Sequence, residues 1–400
     1  MVAAAMAKTV CMIVMSRYPN DPRVRREAEA LREAGIAVDI FCLRGEGERA
    51  RESFGSITAH RIMRERDKEG LGAYLVLSVL FTVWATIRIL ARSTRTRYDL
   101  IQAHTMPDYL IFCGLFHKML GRPLVLDLHD LSVELFDSRW GRRRSAMLLP
   151  VVAFVERVSC KLADHLISTS EGFEQRLIER GNDPDDITMV LNTADPSIFS
   201  YDGSRTFEPI ERDARLLYHG TVAERFGLVM AIDALALVRN EIPGATLRVY
   251  GKYDPSCREQ MEAKIAALGL DDAVSLGGWK SFEEIAEIID DSDIGVVPYL
   301  ANDFMQLALS TKTFEYAASG LPVVASRLDP VTSVFDDAAI AMFAPDDPQA
   351  MADQVVALCR DAADRARKVE RAEAAVEAIS GAVMAERYVG LVNELTAPRP

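Results

Sequence analysis

The sequence lacks the cysteine pattern of a disulfide framework or a zinc site. Its six cysteines are scattered over 400 residues, with no Cys-x-x-Cys pair and no cluster of cysteine with histidine. Isolated cysteines of this kind are typical of small buried residues in a reducing compartment. The first apolar run, Val10 to Met15, is followed by Arg17 and predicts a buried strand rather than a signal peptide. We therefore expect a cytoplasmic protein.

Basic residues are scarce in the second half of the chain. Residues 1–205 carry 28 Lys and Arg against 27 Asp and Glu, whereas residues 206–400 carry 18 against 32. A nucleic acid needs a basic surface for its phosphates, so no nucleic-acid partner is expected. In such an acidic half, a cation in a loop is informative because it marks a place where a local anion could bind.

Short β-branched apolar runs alternate with amphipathic stretches, which predicts parallel sheets covered by helices. The expected fold class is α/β, with two Rossmann-like doubly wound domains facing each other across a cleft, where such sheets bind ligands. The turn-rich segment 192–213 separates the two patterns. We predict a first domain over residues 1–205 and a second domain over residues 206–375. Residues 376–400 would form a C-terminal helix and tail that packs back on the first domain.

The predicted strands of the first domain lie at Thr9–Met15, Val38–Leu43, Ile57–Ile62, Leu100–His104, Leu124–Leu128, His165–Thr169 and Met189–Leu191. Those of the second domain lie at Arg215–His219, Leu247–Tyr250, Val274–Leu276, Ile294–Val297, Pro322–Ala325 and Ile340–Phe343. The Ala- and Arg-rich tail from Gln349 to Leu395 predicts one or two helices.

One apolar segment, Leu71 to Leu90, is about as long as a membrane-spanning helix. A spanning helix would place the strand that follows on the wrong side of the membrane from the first strand. Two interpretations stay open: a long helix packed on the N-terminal sheet, or a helix that dips into a membrane surface. The basic run Arg139, Arg142, Arg143 and Arg144 has two equally good interpretations: it binds anionic lipid headgroups, or it is a solvated loop.

Two loops of the second domain carry cations next to helix starts. The loop from His219 to Gly227 contains Gly220 and Arg225, and a glycine-rich turn that opens a helix can present backbone N–H groups to an anion. Farther along, Lys312 and Glu315 share one helix face. A lysine at the positive end of a helix is disfavoured unless an anion binds there. A diphosphate would supply that anion, and a carboxylate one turn on could accept both hydroxyls of a ribose.

The run from Thr311 to Ser326, TKTFEYAASGLPVVAS, resembles the donor-binding segment of the retaining glycosyltransferases of family 4, which have the GT-B fold. Other stretches agree with that family in order and spacing. They are Asp21–Ala28, Tyr98–His104, Leu126–Asp130, Ala163–Ser168, Asn192 with Asp195 and Phe199, His219–Gly227 and Asp293–Pro298. The resemblance covers roughly residues 9 to 345.

The resemblance implies a retaining, metal-independent transferase that uses a nucleotide-diphosphate sugar and needs no cofactor. It assigns the donor ribose to Glu315 and the diphosphate to Arg225 and Lys312, helped by backbone groups of Gly220, Thr221 and Thr311. It also places His129 against the transferred sugar. Fixed cations would stabilise the charge that develops on the departing diphosphate. The expected acceptor is a glycan or a lipid-linked glycan, with peripheral contact to the inner membrane surface.

Two departures from the family pattern leave alternatives open. Leu307 stands where the family has the first glutamate of a Glu-x7-Glu pair, which puts the sugar contacts in doubt. Arg23 and Arg25 occupy the loop where many members have paired glycines, so these arginines, with Asp130, are candidates on the acceptor side. Their alternative is a solvated helix start. A sugar-nucleotide epimerase and a non-catalytic scaffold of the same fold remain as competing functions.

Overall fold

The computed structural model describes residues 8–65, 70–140 and 142–397, apart from the side chains of residues 139–147. The strands are β1 (Thr9–Arg17), β2 (Ala37–Arg44), β3 (Arg51–Phe54), β4 (Ile57–Arg64), β5 (Leu100–His104), β6 (Leu124–Leu128), β7 (His165–Ser168), β8 (Ile187–Met189), β9 (Arg215–His219), β10 (Thr246–Tyr250), β11 (Val274–Gly277), β12 (Ile294–Val297), β13 (Val323–Ser326) and β14 (Ala341–Phe343). The α-helices are α1 (Pro22–Glu33), α2 (Leu71–Ser93), α3 (Leu115–Met119), α4 (Ser132–Trp140), α5 (Arg142–Leu162), α6 (Glu171–Glu179), α7 (Leu228–Val238), α8 (Pro255–Leu268), α9 (Phe282–Asp290), α10 (Thr311–Ala318), α11 (Asp329–Thr332), α12 (Pro348–Arg360), α13 (Ala362–Ala378) and α14 (Gly381–Leu395).

The described residues divide into two units, each built on its own sheet. Unit 1 runs to Leu191 and resumes at Ala382, and its eight strands have the order β3-β4-β2-β1-β5-β6-β7-β8. Unit 2 runs from Asn192 to Gly381, with six strands in the order β11-β10-β9-β12-β13-β14. Every strand pair is parallel except β3 with β4. The α/β class with two parallel-sheet domains is confirmed.

The central strands are buried along their whole length, as expected where helices cover both faces of a parallel sheet. All five residues of β5 and all five of β6 are buried, and so are all four of β12. The strands β5, β6, β9 and β12 have the predicted bounds. The exception is β3, whose sequence RESF is half exposed and carries no apolar run, so it was not predicted.

The domain limits in the structure lie at Leu191/Asn192 and at Gly381/Ala382, whereas residues 205/206 and 375/376 were expected. The turn-rich segment 192–213 is tied to unit 2 by its own contacts. Arg205 donates to the carbonyls of Ser292 and Ile289, and Ile210 donates to Cys359. These bonds explain why the first limit comes before the segment rather than within it.

The C-terminal tail forms three helices, so the expectation of one or two is wrong. Helices α12 and α13 belong to unit 2, and α14 belongs to unit 1. The boundary between α12 and α13 lies at Asp361, which ends α12 and whose side chain caps α13 by accepting from the backbone of Asp364. In α14, Tyr388 donates through its hydroxyl to Gln102 of β5, a 2.6 Å bond that fixes this helix on the first sheet.

Helix α2 lies along the first sheet as the connection between β4 and β5, two strands of that sheet. One stripe of the helix is buried, made by Ser78, Phe81, Ala85 and Ile89. A helix whose flanking strands share one sheet cannot cross a bilayer, although its length and mean hydropathy of 1.9 would suffice. Only 22% of its most apolar window is buried, so the rest of its surface is apolar and exposed.

Candidate functional site

The loop after β9 is shaped by two glycines. Gly227 has φ +67°, and a Cβ there would lie 1.8 Å from the Pro298 carbonyl oxygen, so no other residue fits without a shift of the backbone. Gly220 has φ +109°, and a Cβ there would lie 2.6 Å from Cε of Lys312. Leu300 donates to the Arg225 carbonyl at 3.1 Å and ties this loop to the segment after β12. The glycines therefore let three chain segments meet at the carboxyl end of the second sheet.

Lys312 lies in the first turn of α10, against the backbone of Gly220. Its ammonium donates to the Tyr299 hydroxyl at 2.9 Å and sits 5.2 Å from the centroids of the Tyr218 and Phe226 rings. Arg225 approaches the same Phe226 ring, with its guanidinium carbon 4.7 Å from the centroid. Within the described residues Lys312 has no carboxylate partner. Aromatic faces stabilise a cation only in part, so this pair of cations is suited to an anion.

Glu315 lies one turn after Lys312 and is mostly buried, with 8% of its surface exposed. One of its carboxylate oxygens is 3.2 Å from Nε2 of His219, the last residue of β9. Burial, followed by the charge of Lys312, lowers the pKa of His219 to about 3. The imidazole is therefore neutral at pH 7. Its Nε2 lies beside the Glu315 carboxylate without a hydrogen bond to it.

Unit 1 contains a buried cluster at the carboxyl ends of β5 and β6. His104 Nδ1 and His129 Nε2 lie 2.8 and 2.7 Å from the same oxygen, Oδ2 of Asp127. The tautomers with hydrogen on these two nitrogens let both rings donate to Asp127. Burial raises the pKa of Glu27, which accepts from Gln102 at 2.6 Å, and the neighbouring Asp127 raises it further. The cluster thus holds one anionic carboxylate shared by two imidazoles.

The cluster fixes the orientation of His129. Its backbone N–H donates to the Thr105 hydroxyl at 3.0 Å, and its carbonyl accepts from Thr169 at 3.2 Å. Burial lowers the pKa of His129 more than the charge of Asp127 raises it, so the ring is neutral. Nδ1 is buried and has no hydrogen-bond partner among the described residues. In the tautomer that donates to Asp127, this atom is an acceptor for a hydroxyl.

The distances in this cluster would also admit a metal ion, since the three ligand atoms of His104, Asp127 and His129 lie within 4.8 Å of one another. These atoms already satisfy one another, because both imidazole nitrogens donate to Oδ2 of Asp127. Metal ligands need to point at a shared central position, whereas here the imidazoles converge on a carboxylate oxygen. The arrangement fits a hydrogen-bonded cluster better than a metal centre.

Two family models match the chain. The one described as a glycosyl transferase 4-like domain matches residues 21–193, and the one described as glycosyl transferases group 1 matches residues 213–361. Together they cover every strand except β1, and they include the His129 cluster and the Lys312 segment. The chain belongs to the group 1 glycosyltransferase family.

Similar proteins extend this family assignment. Over 58% of the chain and 56% of the relative, it is 27% identical to the amylovoran biosynthesis glycosyltransferase AmsK of Erwinia amylovora. The matches to AmsK and to two further curated glycosyltransferases span only about half of those proteins' lengths, 46–56%. Among solved structures, sucrose-phosphate synthase from Thermosynechococcus elongatus has a TM-score of 0.77 at 19% identity, over 97% of this chain and 99% of that one. HepE from Anabaena in complex with UDP-glucose has a TM-score of 0.70 at 15% identity, over 96% and 99%. The fold is that of the GT-B glycosyltransferases.

Of the remaining predicted site residues of this group 1 family member, Arg23 lies close enough to the His129 cluster that, after burial, its charge also lowers the pKa of His129. Arg23 forks onto Asp21, which caps α1, through two bonds of 3.1 and 3.2 Å. Although burial alone would raise it, the pKa of Asp21 is held well below its usual range by the Arg23 guanidinium. Arg25 is half-buried in α1, and Asp130 is half-buried directly after His129. Their acceptor-side role stays a prediction.

The Asp291-Ser292-Asp293 sequence spells the DxD pattern that some glycosyltransferases use for a metal. In this chain Asp293 accepts from Arg215 at 2.8, 3.1 and 3.0 Å, and Asp291 accepts from Arg248 at 2.8 Å. These ion pairs lie before β12, at the amino end of the sheet and opposite to Lys312. Both carboxylates therefore brace the fold rather than form part of the candidate donor site.

Sequence reasoning found the cations and missed the groups that surround them. The structure brings Gly220, Lys312 and Glu315 together as predicted, and it places Thr221 and Thr311 at the same loop and helix start. The rings of Tyr218, Phe226 and Tyr299 were not predicted, nor was the contact of His219 with Glu315. In unit 1 the partner of His129 was missed, although the parallel register pairs His104 with Asp127. Aligning the carboxyl ends of the two predicted strands, Leu100–His104 and Leu124–Leu128, would have placed His104 next to Asp127.

Proposed function

We propose that this protein transfers a sugar from a nucleoside-diphosphate donor held by unit 2. The observation that carries the proposal is Lys312, a cation in the first turn of a helix with three aromatic rings around it and no carboxylate partner in the described chain. Arg225 shares one of those rings, so two positive charges converge where a diphosphate would bind. Glu315 lies one turn away, the distance at which a carboxylate reaches a ribose attached to that diphosphate.

In the proposed reaction the bond between the anomeric carbon and the diphosphate oxygen breaks, and the nucleoside diphosphate leaves. The acceptor hydroxyl oxygen forms the new bond to the anomeric carbon. Its proton goes to an oxygen of the departing phosphate, on the same face of the sugar, so the configuration is retained. Arg225 and Lys312 stabilise the charge that develops on the leaving diphosphate, which is the role that fixed cations serve in such a step.

The reaction is proposed to proceed without a metal or other cofactor. Two cations already face the diphosphate position, and the DxD carboxylates are held by Arg215 and Arg248. Leu307 stands in the segment between β12 and α10, where it offers no hydrogen bond from its side chain to a sugar. The sugar would therefore be recognised by other groups, among which we propose Nδ1 of His129 as an acceptor for a sugar hydroxyl.

The acceptor is proposed to be a glycan or a lipid-linked glycan in polysaccharide or glycoconjugate biosynthesis, at the cytoplasmic face of the membrane. Two observations support a membrane-held acceptor: the exposed apolar face of α2 and the arginines that follow it. The family relative AmsK acts in amylovoran biosynthesis. HepE was solved with UDP-glucose, which makes uridine nucleotides the first donors to test.

The test is the release of nucleoside diphosphate from UDP-, GDP- and ADP-sugars in the presence of EDTA, with and without a membrane extract as the source of acceptor. We expect one donor to release its nucleotide, and the anomeric coupling of the product by NMR to match that of the donor. The reaction should stop in Lys312→Met and continue in Lys280→Met, a lysine of the same unit that pairs with Glu284. Isomerised donor without transfer would instead indicate an epimerase. No reaction with any donor would contradict the proposal.

A further inference from the structure

Unit 1 contains an apolar cavity of about 360 Å³ that no step of the proposed sugar transfer uses. Its walls come from the start of α2, the residues after β5, α4 and α5. The lining side chains are mostly apolar: Leu71, Leu75, Pro107, Leu135, Phe136 and Val152. Cavities of this size are in the range that binds small organic ligands.

The cavity opens onto an apolar surface instead of onto polar solvent-facing side chains. Leu75 and Val151 line the cavity and are nevertheless 44% and 58% exposed, so they form its rim. Beyond the rim, α2 exposes one valine or larger apolar residue at almost every turn: Val76, Val79, Leu80, Val83, Trp84, Ile87 and Leu90. Phe154 of α5 is 67% exposed on the other side. An exposed apolar surface of this extent marks a place where another apolar phase or partner binds.

The charges around this surface favour an anionic lipid environment. The stretch from Leu71 to Arg97 contains no Asp or Glu, and it ends in exposed Arg88, Arg95 and Arg97. In the described part of the chain Arg88 and Arg95 make no ion pair. A helix with an apolar face and uncompensated arginines is typical of the interface of an anionic membrane.

Two parts of the cavity wall are close in sequence to residues of the His129 cluster. Met106, Pro107 and Asp108 line the cavity, and Thr105, the residue before them, accepts the hydrogen bond from the backbone of His129. Ser132, three residues after His129, lines the cavity too and donates to Asp108 at 2.7 Å. A hydrocarbon chain in the cavity would therefore have its end within a few residues of the candidate sugar contact.

From these observations we infer that the cavity binds the hydrocarbon chain of the acceptor lipid, which enters it from the membrane along the exposed face of α2. The identification of this lipid as the acceptor rests on the proposed sugar transfer. The substrate class that the inference names is a lipid with a single long chain and a polar, phosphate-bearing head. Burial of each methylene stabilises binding, so affinity rises by about fourfold per CH₂ until the cavity is full.

Direct binding of alkyl phosphates to the full-length protein tests the inference without any sugar donor. Isothermal titration is done with butyl, octyl and dodecyl phosphate below their micellar concentrations. We expect dodecyl phosphate to bind at least about tenfold more tightly than butyl phosphate. Val152→Trp fills the cavity and should abolish the tighter binding of dodecyl phosphate relative to butyl phosphate. Val383→Trp, the same change at an exposed position of α14, should preserve that difference.

A second measurement separates an acceptor chain from bulk membrane lipid. Val152→Trp should still sediment with vesicles that contain phosphatidylglycerol, because the outer face of α2 is unchanged. Equal binding of all three alkyl phosphates, or a dodecyl phosphate affinity unaffected by Val152→Trp, would overturn the inference. So would a loss of vesicle binding in Val152→Trp as large as its loss of dodecyl phosphate, since the cavity would then hold bulk lipid. If Val152→Trp does not fold, Val155→Phe in the same wall replaces it.

The alkyl-phosphate titration and the nucleotide-release assay test different claims, so a negative result in one does not imply a negative result in the other. Retained alkyl-phosphate binding in a protein that releases no nucleotide would leave the cavity assignment standing and remove the proposed transferase function. Nucleotide release without chain-length-dependent binding would do the reverse.

Discussion

At the scale of single residues, the candidate donor site depends on charges that are held without their usual partners. Lys312 sits among the rings of Tyr218, Phe226 and Tyr299, and its charge acts on the neighbouring His219. Desolvation by burial and the charge of Lys312 both favour the neutral imidazole. A neutral His219 adds no second positive charge next to Lys312 and Glu315.

We predict that His219 stays neutral between pH 5 and 8, with its pKa of about 3 well below the usual 6.5. Because the folded pKa is lowered, the unfolded chain binds the proton more readily, and stability is lost as the pH falls from about 6.5 toward 3. Ring NMR shifts across that range measure the pKa directly. In Lys312→Met the pKa should rise, although burial keeps it below 6.5; an unchanged pKa would contradict the role given to the lysine charge.

Asp108, in the wall of the apolar cavity, gives a second residue-scale prediction. Burial, with a contribution from the charge of Glu156, raises its pKa from 3.8 to about 7. The folded state therefore holds this proton more tightly, and stability is lost as the pH rises from about 4 through 7. Asp108→Asn cannot ionise and keeps an acceptor for Ser132, so it should stabilise unit 1 at pH 8 by on the order of 3–4 kcal/mol and have little effect at pH 4.

Urea unfolding of the two proteins at pH 4 and pH 8 measures this difference. The exposed carboxyl of Asp185 provides the control substitution, Asp185→Asn. A stabilisation by Asp108→Asn that is the same at both pH values would show that its carboxyl is not the titrating group.

At the scale of elements, α2 has two faces with different partners. Its buried stripe packs on the first sheet, and its other face exposes valines that a soluble helix would replace by polar residues. We predict that the protein sediments with vesicles of phosphatidylglycerol and phosphatidylcholine, and less so when salt is raised or phosphatidylglycerol is omitted. The pair Val79→Asp with Val83→Asp should lower the partition by about tenfold or more.

The control for this experiment is Leu268→Asp with Trp279→Asp, which adds the same two charges at exposed apolar residues of unit 2. Equal partition of the wild type, the α2 variant and the control would remove the membrane role of this face. Unfolding of the α2 variant is excluded separately by its circular dichroism, because the two valines lie outside the buried stripe.

Helix α2 also illustrates which features could be predicted from the sequence and which could not. Its apolar run predicted a long helix, but the run is apolar on both faces, so the pattern could not decide between the sheet and a membrane. The strand order excludes a spanning helix, because β4 and β5 lie in one sheet, and contact with a membrane surface stays a prediction. Likewise, Lys312 and Glu315 were predicted from spacing within one helix, whereas the contact of Glu315 with His219 joins residues nearly a hundred positions apart. Local patterns predict elements and their faces, and long-range pairs need the strand order.

At the scale of the whole molecule, the chain leaves unit 1 at Leu191 and returns to it at α14. Met384, Tyr388, Leu391 and Val392 of that helix are buried in unit 1. Each such side chain contributes about 1.5–3 kcal/mol when buried. A chain that ends at Gly381 should therefore lose much of the stability of unit 1, which itself has a typical total of only about 5–15 kcal/mol.

Calorimetry should separate the unfolding transitions of the two units, because a nucleoside diphosphate that binds unit 2 as proposed raises the transition temperature of that unit alone. The truncation should lower or abolish the transition of unit 1 and leave the nucleotide-sensitive one in place. Tyr388→Phe, which removes only the hydroxyl bond to Gln102, should cost about 1 kcal/mol. A truncated chain that loses both transitions to the same extent would contradict the division of the chain into these units.

The central claim is that unit 2 binds a nucleoside diphosphate through Lys312, and isothermal titration with UDP, GDP and ADP tests it most directly. The account predicts that one of these binds the wild type and Lys280→Met alike, and binds Lys312→Met about ten- to a hundredfold more weakly, because a charge-assisted hydrogen bond is lost. Binding that is equally tight in Lys312→Met, or the absence of binding by all three nucleotides, would contradict it.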